Sequence, residues 1–256
     1  MNKKFLRLTQ IGVILILISS VVNGLFLHFN RLDEVLFLDT YMDFEAESGL
    51  SRYMYYVTNK NDDRRVYGIE LEEHVHLEVL HQHEIELPFY KVVVLDITPR
   101  NYKSDEITTY NEMKLLFNNN DRLVVNNSII RLFPTRDYDH FSWRSGGSSN
   151  TGESYVVYSV KEKTTIEAFN IPQEVEDLVQ VKFGERVDNY TSVDEIILPL
   201  EVDYSFKVST MIEKNTKVIG VFFEVKTDKG DAYLLDISSS PSLEYEDIKA
   251  FVKENR

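Results

Sequence analysis

The chain has 256 residues, with 28 Lys+Arg against 42 Asp+Glu, no Cys, and a net charge of −14. A chain this negative repels nucleic-acid phosphate, which excludes nucleic acid as a partner, and it favours cations, Ca²⁺ included, and basic partners. The lack of Cys excludes disulfides, thiolate metal sites and cysteine nucleophiles.

Residues 11–29 contain no Asp, Glu, Lys or Arg, while Lys3, Lys4 and Arg7 precede them, Arg31 follows, and Asp33 and Glu34 come next. An apolar run of about 20 residues is long enough to span a bilayer as a helix. The cations on the leading side place the N-terminus inside and the bulk outside. The expected organisation is a cytoplasmic N-terminus over 1–10 and a transmembrane signal anchor over 11–30. A cleaved signal peptide, cut near Val22 or Gly24, is the competing reading; continuation of the run through Leu25, Phe26, Leu27 and Phe29 favours retention. A buried core helix is a third reading, at odds with so uniformly apolar a segment. Beyond Arg31 the balance is 24 Lys+Arg against 42 Asp+Glu, a net −18. A Cys-free outer segment fits the envelope of a Gram-positive bacterium, where the sequons at Asn126 and Asn189 carry no weight.

Past the anchor, Val35-Leu-Phe-Leu38 either extends the helix or begins a strand. The acidic stretch 41–47 is broken by Gly49. Two β-rich runs, 53–58 and 65–72, flank the polar turn Asn59-Lys-Asn-Asp-Asp63 and read as a hairpin. Residues 73–87 alternate, with Val75, Leu77 and Val79 on one face and His74, His76 and Glu78 on the other. Residues 90–98 form a continuous apolar run suited to burial on both faces, stopped by Pro99.

Ile107, Tyr110, Met113 and Phe117 have approximate helical spacing, with Ser104 as a candidate N-cap. Residues 123–125 and 128–133 read as strands around Asn126-Asn127. Residues 143–153 are rich in Gly and Ser and read as a linker or long loop. Beyond them, 154–160 alternates and 164–169 is extended. Pro172 opens a short helix over 172–179. Residues 195–198, 204–210, 218–227 and 232–237 are strands, the last two joined by a hairpin turn at Asp228-Lys-Gly230. Both faces of 218–227 are apolar, which suits a central strand. A helix then carries Leu243, Ile248, Phe251 and Val252 on one face, with Lys249 and Lys253 suiting its C-terminal dipole.

Many short strands at close spacing give a mainly β fold: an N-terminal transmembrane helix, then one or two antiparallel β-sandwich (Ig-like) domains and a short C-terminal helix. The β-rich domains are expected over 31–142 and 154–256, or as one continuous sandwich.

His74, His76, His81 and His83 are the candidate metal ligands. Residues two apart on a strand share a face, so each H-x-H pair presents two imidazoles, and a turn near Val79-Leu80 would unite the pairs around Zn²⁺ or Cu²⁺. The competing readings are a solvated strand face and a pH sensor titrating near pH 6.5. Asn59-Lys-Asn-Asp-Asp63 and Asp137-Tyr-Asp-His140 are oxygen-rich turns that offer ligands to Ca²⁺, although Asn and Asp suit turns for backbone reasons alone. Residues 145–152 lack the Lys-Ser/Thr of a phosphate loop. Trp143, the only tryptophan, either anchors a loop or stacks on a sugar. No H-E-x-x-H, G-x-S-x-G or S-x-x-K motif occurs. These features point to no cofactor and to a non-catalytic binding or accessory module of the envelope, whose partner is another envelope protein or a cell-wall component. Metal or pH sensing, or hydrolysis of wall polymer by paired carboxylates, are the alternatives.

Overall fold

The computed structural model describes residues 13–25, 30–46, 49–100, 102–103, 105–135, 141–148, 153–184, 191–212 and 217–256. Ser104, Asp137-Tyr-Asp-His140, Asn189, residues 149–152 of the Gly/Ser stretch, and residues 11, 12 and 26–29 of the expected anchor lie outside these.

Helix α1 covers 13–25, and every residue of it is exposed. Thirteen helical residues rise only ~20 Å, against a hydrocarbon core of ~30 Å. The transmembrane helix expected over 11–30 is therefore not found: among the described residues no helix is long and apolar enough to cross a membrane. The buried-core reading is not realised either, because Val13, Ile14, Leu15, Ile16, Leu17 and Ile18 are each more than half exposed.

The rest is mainly β. The first half contributes β1 (Leu36–Phe37), β2 (Thr40–Glu45), β3 (Arg52–Asn59), β4 (Val66–Glu72), β5 (Val75–Glu86), β6 (Tyr90–Arg100), β7 (Thr108–Tyr110), β8 (Met113–Phe117), β9 (Arg122–Val125) and β10 (Ser128–Phe133). The second half contributes β11 (Phe141–Ser148), β12 (Glu153–Val160), β13 (Thr164–Asn170), β14 (Val179–Gly184), β15 (Thr191–Ser192), β16 (Leu200–Val202), β17 (Ser205–Ile212), β18 (Val218–Thr227) and β19 (Gly230–Ser239). Helix α2 (Tyr245–Glu254) follows.

Three sheets form. The first runs β1-β3-β6-β5-β4-β8-β9 and the third β11-β12-β17-β14-β15, both antiparallel throughout. The second runs β16-β13-β18-β2-β10-β7, with β19 also on β18; here β2 lies parallel to both β10 and β18.

The second sheet is the middle layer. On β2, Met42 and Phe44 enter the core shared with the first sheet, while Tyr41 packs against the core shared with the third. On β18, Val218 joins the first core, and Ile219, Val221, Phe223 and Val225 join the second. Alternation sends Ile219, Val221, Phe223 and Val225 to one side of the sheet and Val218 to the other, where Phe222 meets Phe133 edge-on at 5.2 Å. Strand β18 is interior, with β2 and β13 along one side and β19 along the other; β19 pairs only with β18 among the described residues.

The structure departs from the sequence reading at several elements. The runs around Asn59–Asp63 are not a hairpin, because β6 and β5 separate β3 from β4. Residues 108–117 are two strands and not a helix: Met113, Leu115 and Phe117 are buried and alternate with half-buried Lys114 and Leu116, a period of two. β9 and β10, neighbours in sequence, enter different sheets. Residues 143–148, the start of the stretch expected as a linker, belong to strand β11 on β12. Residues 172–179 hold only a short 3₁₀ turn at Glu176–Leu178 before β14 begins. The C-terminal helix forms, starting at Tyr245 so that Leu243 precedes it, and Ile248, Phe251 and Val252 return it to the first core.

Candidate binding surfaces

His74 sits at positive φ in the β4–β5 turn, and His76, His81 and His83 follow along β5, all four exposed. The turn expected near Val79-Leu80 is a β-bulge in an otherwise continuous strand. The register places His76 opposite Arg100 and His81 opposite Asp96, so the bulge absorbs one residue and keeps His76, His81 and His83 on one face. It does not bring the pairs together, since His76 and His81 remain ~13 Å apart along the strand. Among the described residues no three His, Asp or Glu side chains are grouped to hold a metal ion. Replacing His74, His76, His81 and His83 together by Gln should change unfolding free energy by within about 0.5 kcal/mol per site. A melting temperature that rises with Zn²⁺ and loses that response in the quadruple variant would overturn this expectation.

At the foot of the body, where α1 leads into β1, a cleft of about 660 Å³ is lined by residues 30–33, 59–64 and 88–89. Asn59 ties the incoming chain down: its Oδ1 accepts the Leu32 N–H at 2.9 Å and its Nδ2 donates to the Leu32 carbonyl at 2.7 Å. Asp62 accepts from the Arg64 backbone N–H at 3.0 Å, from Arg64 Nη2 at 2.8 Å and from the Thr58 hydroxyl. Of the oxygens expected to offer themselves to Ca²⁺, those of Asn59 and Asp62 thus accept from Leu32, Thr58 and Arg64. Partial burial pushes the Asp62 carboxyl up, but the Arg64 and Thr58 bonds outweigh it and hold the group at about 2. This folded-state value lies below the ordinary one, so the stabilisation is complete above pH ~4 and is lost as pH falls toward 2. Urea titrations between pH 5 and pH 2 should therefore show a smaller loss of stability in Asp62→Asn than in the wild type.

Between the two cores lies a buried ion cluster. Asp43, on β2, is fully buried; its Oδ1 and Oδ2 accept Arg131 Nε and Nη2, both at 2.7 Å, and Oδ2 also accepts the Phe222 N–H at 2.7 Å. Arg52 Nε donates to the Asp43 carbonyl at 2.6 Å, and its guanidinium lies 5.8 Å from the Phe44 ring and 5.4 Å from the Phe222 ring. A Cβ at Gly220 would come within 2.8 Å of Arg52 Nη1, so glycine gives this side chain its room. The cluster joins β2, β3, β10 and β18.

The third sheet offers a surface of different chemistry. Phe206, Val208 and Ile212 of β17 and Val181 and Phe183 of β14 face the core, which turns Lys207, Ser209, Met211, Gln180 and Lys182 outward. The register aligns Gly147, Tyr155, Ser209 and Lys182 in one row across four strands, and Glu153, Met211 and Gln180 in the next. A Cβ at Gly147 would come within 3.0 Å of Tyr155 Cε1, so the ring lies across this glycine. Lys207 Nζ sits 4.1 Å from the ring centroid, a cation–π contact. These residues line a groove of about 510 Å³, in which Glu153 is the carboxylate among the described residues. The sequence reading named none of them; alternation in 154–160 and 204–210 is the only signal that Tyr155 and Lys207 share an outward face. Trp143 is 66% exposed on edge strand β11 and anchors no loop.

No known protein family matches the chain, and no curated protein is significantly similar to it.

Proposed function

We propose that this protein is a single-pass, membrane-anchored binding module of the bacterial envelope, with its sandwich layers outside the cell and no catalytic role of its own. The observation that supports this most is α1. It is apolar apart from Ser19, Ser20 and Asn23, and all of it is exposed. Such a helix needs an apolar surrounding, and the apolar sequence continues beyond both of its described ends. Asn59 then couples the exit of the anchor to the body through Leu32. The body in turn presents the groove of the third sheet, whose Lys, Gln, Ser and Tyr side chains suit recognition of another envelope protein or a cell-wall component.

Fractionation of cells expressing the full chain tests the anchor. The protein should stay with membranes through a high-salt wash, and protease added outside should remove the part beyond Arg31. A soluble form beginning at Leu25 would show a cleaved signal peptide instead. A pH-sensing role is a second reading, favoured by the bulge that lines up His76, His81 and His83 on one face.

A further inference from the structure

We propose that the outer edge of β11 takes up an extended segment of another protein as an added strand. This rests on the reading of the protein as an envelope binding module and names the chemistry of its partner: a peptide strand that brings an aromatic residue and a carboxylate.

The backbone makes the first argument. A strand that ends a sheet presents a row of backbone N–H and C=O groups to whatever comes next, and proteins blunt such edges by keeping them short or by placing Pro, charge or cover on them. Five of the strands that end these sheets are two to four residues long: β1, β7, β9, β15 and β16. Strand β11 is different. It runs for eight residues, contains no Pro, Lys, Asp or Glu, and pairs only with β12 among the described residues. Its one irregularity is the bulge at Arg144, beyond which Ser145–Ser148 are regular. The other long edge, β19, has ten residues, but β17 of the third sheet approaches it.

Side chains then say what suits the edge. The register sets Trp143 opposite Tyr158, and Tyr158 opposite Phe206. Phe206 is buried, Tyr158 half-buried and Trp143 exposed, so this row of rings runs out of cover at β11. A strand added beyond β11 sets one of its own side chains beside Trp143, and an aromatic one there continues the row. The bulge puts Gly146 on the same face as Trp143, and a Cβ at Gly146 would stand 3.6 Å from Trp143 Nε1, so glycine leaves the flank of the indole open. Exposed Arg144 is the charged residue of β11 and suits a carboxylate on the incoming strand. A glycan stacked on Trp143 would leave the backbone row unused, whereas an extended peptide uses both. Pairing with β11 of a second copy would bring two Arg144 side chains to one short ladder, which like charges disfavour.

The strand that pairs with β11 inside the fold supplies the probe: a fluorescein-labelled peptide of residues 153–160, which carries two tyrosines and a glutamate. A control peptide has Pro-Pro in place of Val156-Val157, so whichever side of it meets β11 lacks an N–H. With the full chain in detergent, anisotropy should show the peptide binding and the control binding about tenfold more weakly, roughly the loss of one hydrogen bond. Amide hydrogen exchange over 142–148 should slow when the peptide is bound, and exchange over β19 should stay unchanged. Trp143→Lys should weaken binding about tenfold at unchanged melting temperature, since the side chain is exposed, and Arg144→Gln about threefold. No binding of the peptide, equal binding of the control, protection of β19 in place of β11, or indifference to Trp143→Lys would each overturn the proposal. A concentration-dependent dimer that protects β11, or chito-oligosaccharide quenching Trp143 fluorescence where the peptide does not bind, would overturn it in favour of a second copy or a glycan. Salt-resistant membrane retention measured on the same preparation separates its failure from failure of the anchored-module reading.

Discussion

Asp43→Ala should cost about 3–5 kcal/mol of unfolding free energy, seen as a lower urea midpoint. The carboxylate is fully buried and satisfies three donors at once, two from Arg131 and the Phe222 N–H. Its removal leaves those donors without an acceptor, and it leaves Arg52, itself 6% exposed, without the nearby negative charge. Breaking a buried pair from one side costs far more than the pair contributes, because the remaining charge stays desolvated. Replacing Asp43 by Leu and Arg131 by Met together should therefore cost less than the sum of the two single changes. Burial pushes the Asp43 carboxyl upward while Arg131 and the Phe222 N–H oppose it, so the site depends on keeping those donors in place. A single-variant cost below 1 kcal/mol, or strict additivity in the double variant, would contradict this account.

Asp43 also shows what a sequence can and cannot disclose. It lies in a stretch that reads as acidic and therefore exposed, since isolated carboxylates are almost never fully buried. Only the fold supplies Arg131, 88 residues away, and the Phe222 amide, 179 residues away. Elements whose signal is local were legible. The two apolar faces of 218–227 announced an interior strand, and the spacing of Ile248, Phe251 and Val252 announced the final helix. Elements that depend on distant partners were not. Gly146 and Gly147 disfavour a strand intrinsically, yet β12 supplies a ladder for them, and Tyr155 needs the space that Gly147 leaves. The helical spacing of 107–117 lost to the alternation that seats β8 between β4 and β9.

The candidate sites divide the same way. The histidines were visible as a motif, but the bulge between Val79 and His81, which sets their common face and keeps them strung out, leaves no mark in composition. The groove of the third sheet was invisible because Tyr155, Lys182 and Lys207 come from three strands that meet only through register. That register is fixed from below, by the apolar residues that alternate with the groove.

Phe206→Ala should be the second large loss, about 3–5 kcal/mol, because the side chain is buried at the centre of an aromatic stack. Its ring meets Phe141 edge-on at 5.3 Å and lies against Tyr158 at 5.5 Å and Phe183 at 5.1 Å. Phe169 extends the chain of contacts from Phe183, at 5.2 Å, to Phe223 of β18, at 5.7 Å. Ala would leave a cavity walled by rigid rings and sheets that collapse poorly, so both transfer and cavity costs apply. Phe206→Leu keeps more volume and should cost less. Because β18 contributes to both cores and α2 returns to the first, the loss should shift a single cooperative transition of the whole body. Denaturation followed by near-UV circular dichroism and by Trp143 fluorescence should then give coincident midpoints in wild type and variant. A Phe206→Ala protein that unfolds in two steps, with the first core keeping the wild-type midpoint, would show that the middle sheet does not couple its two faces.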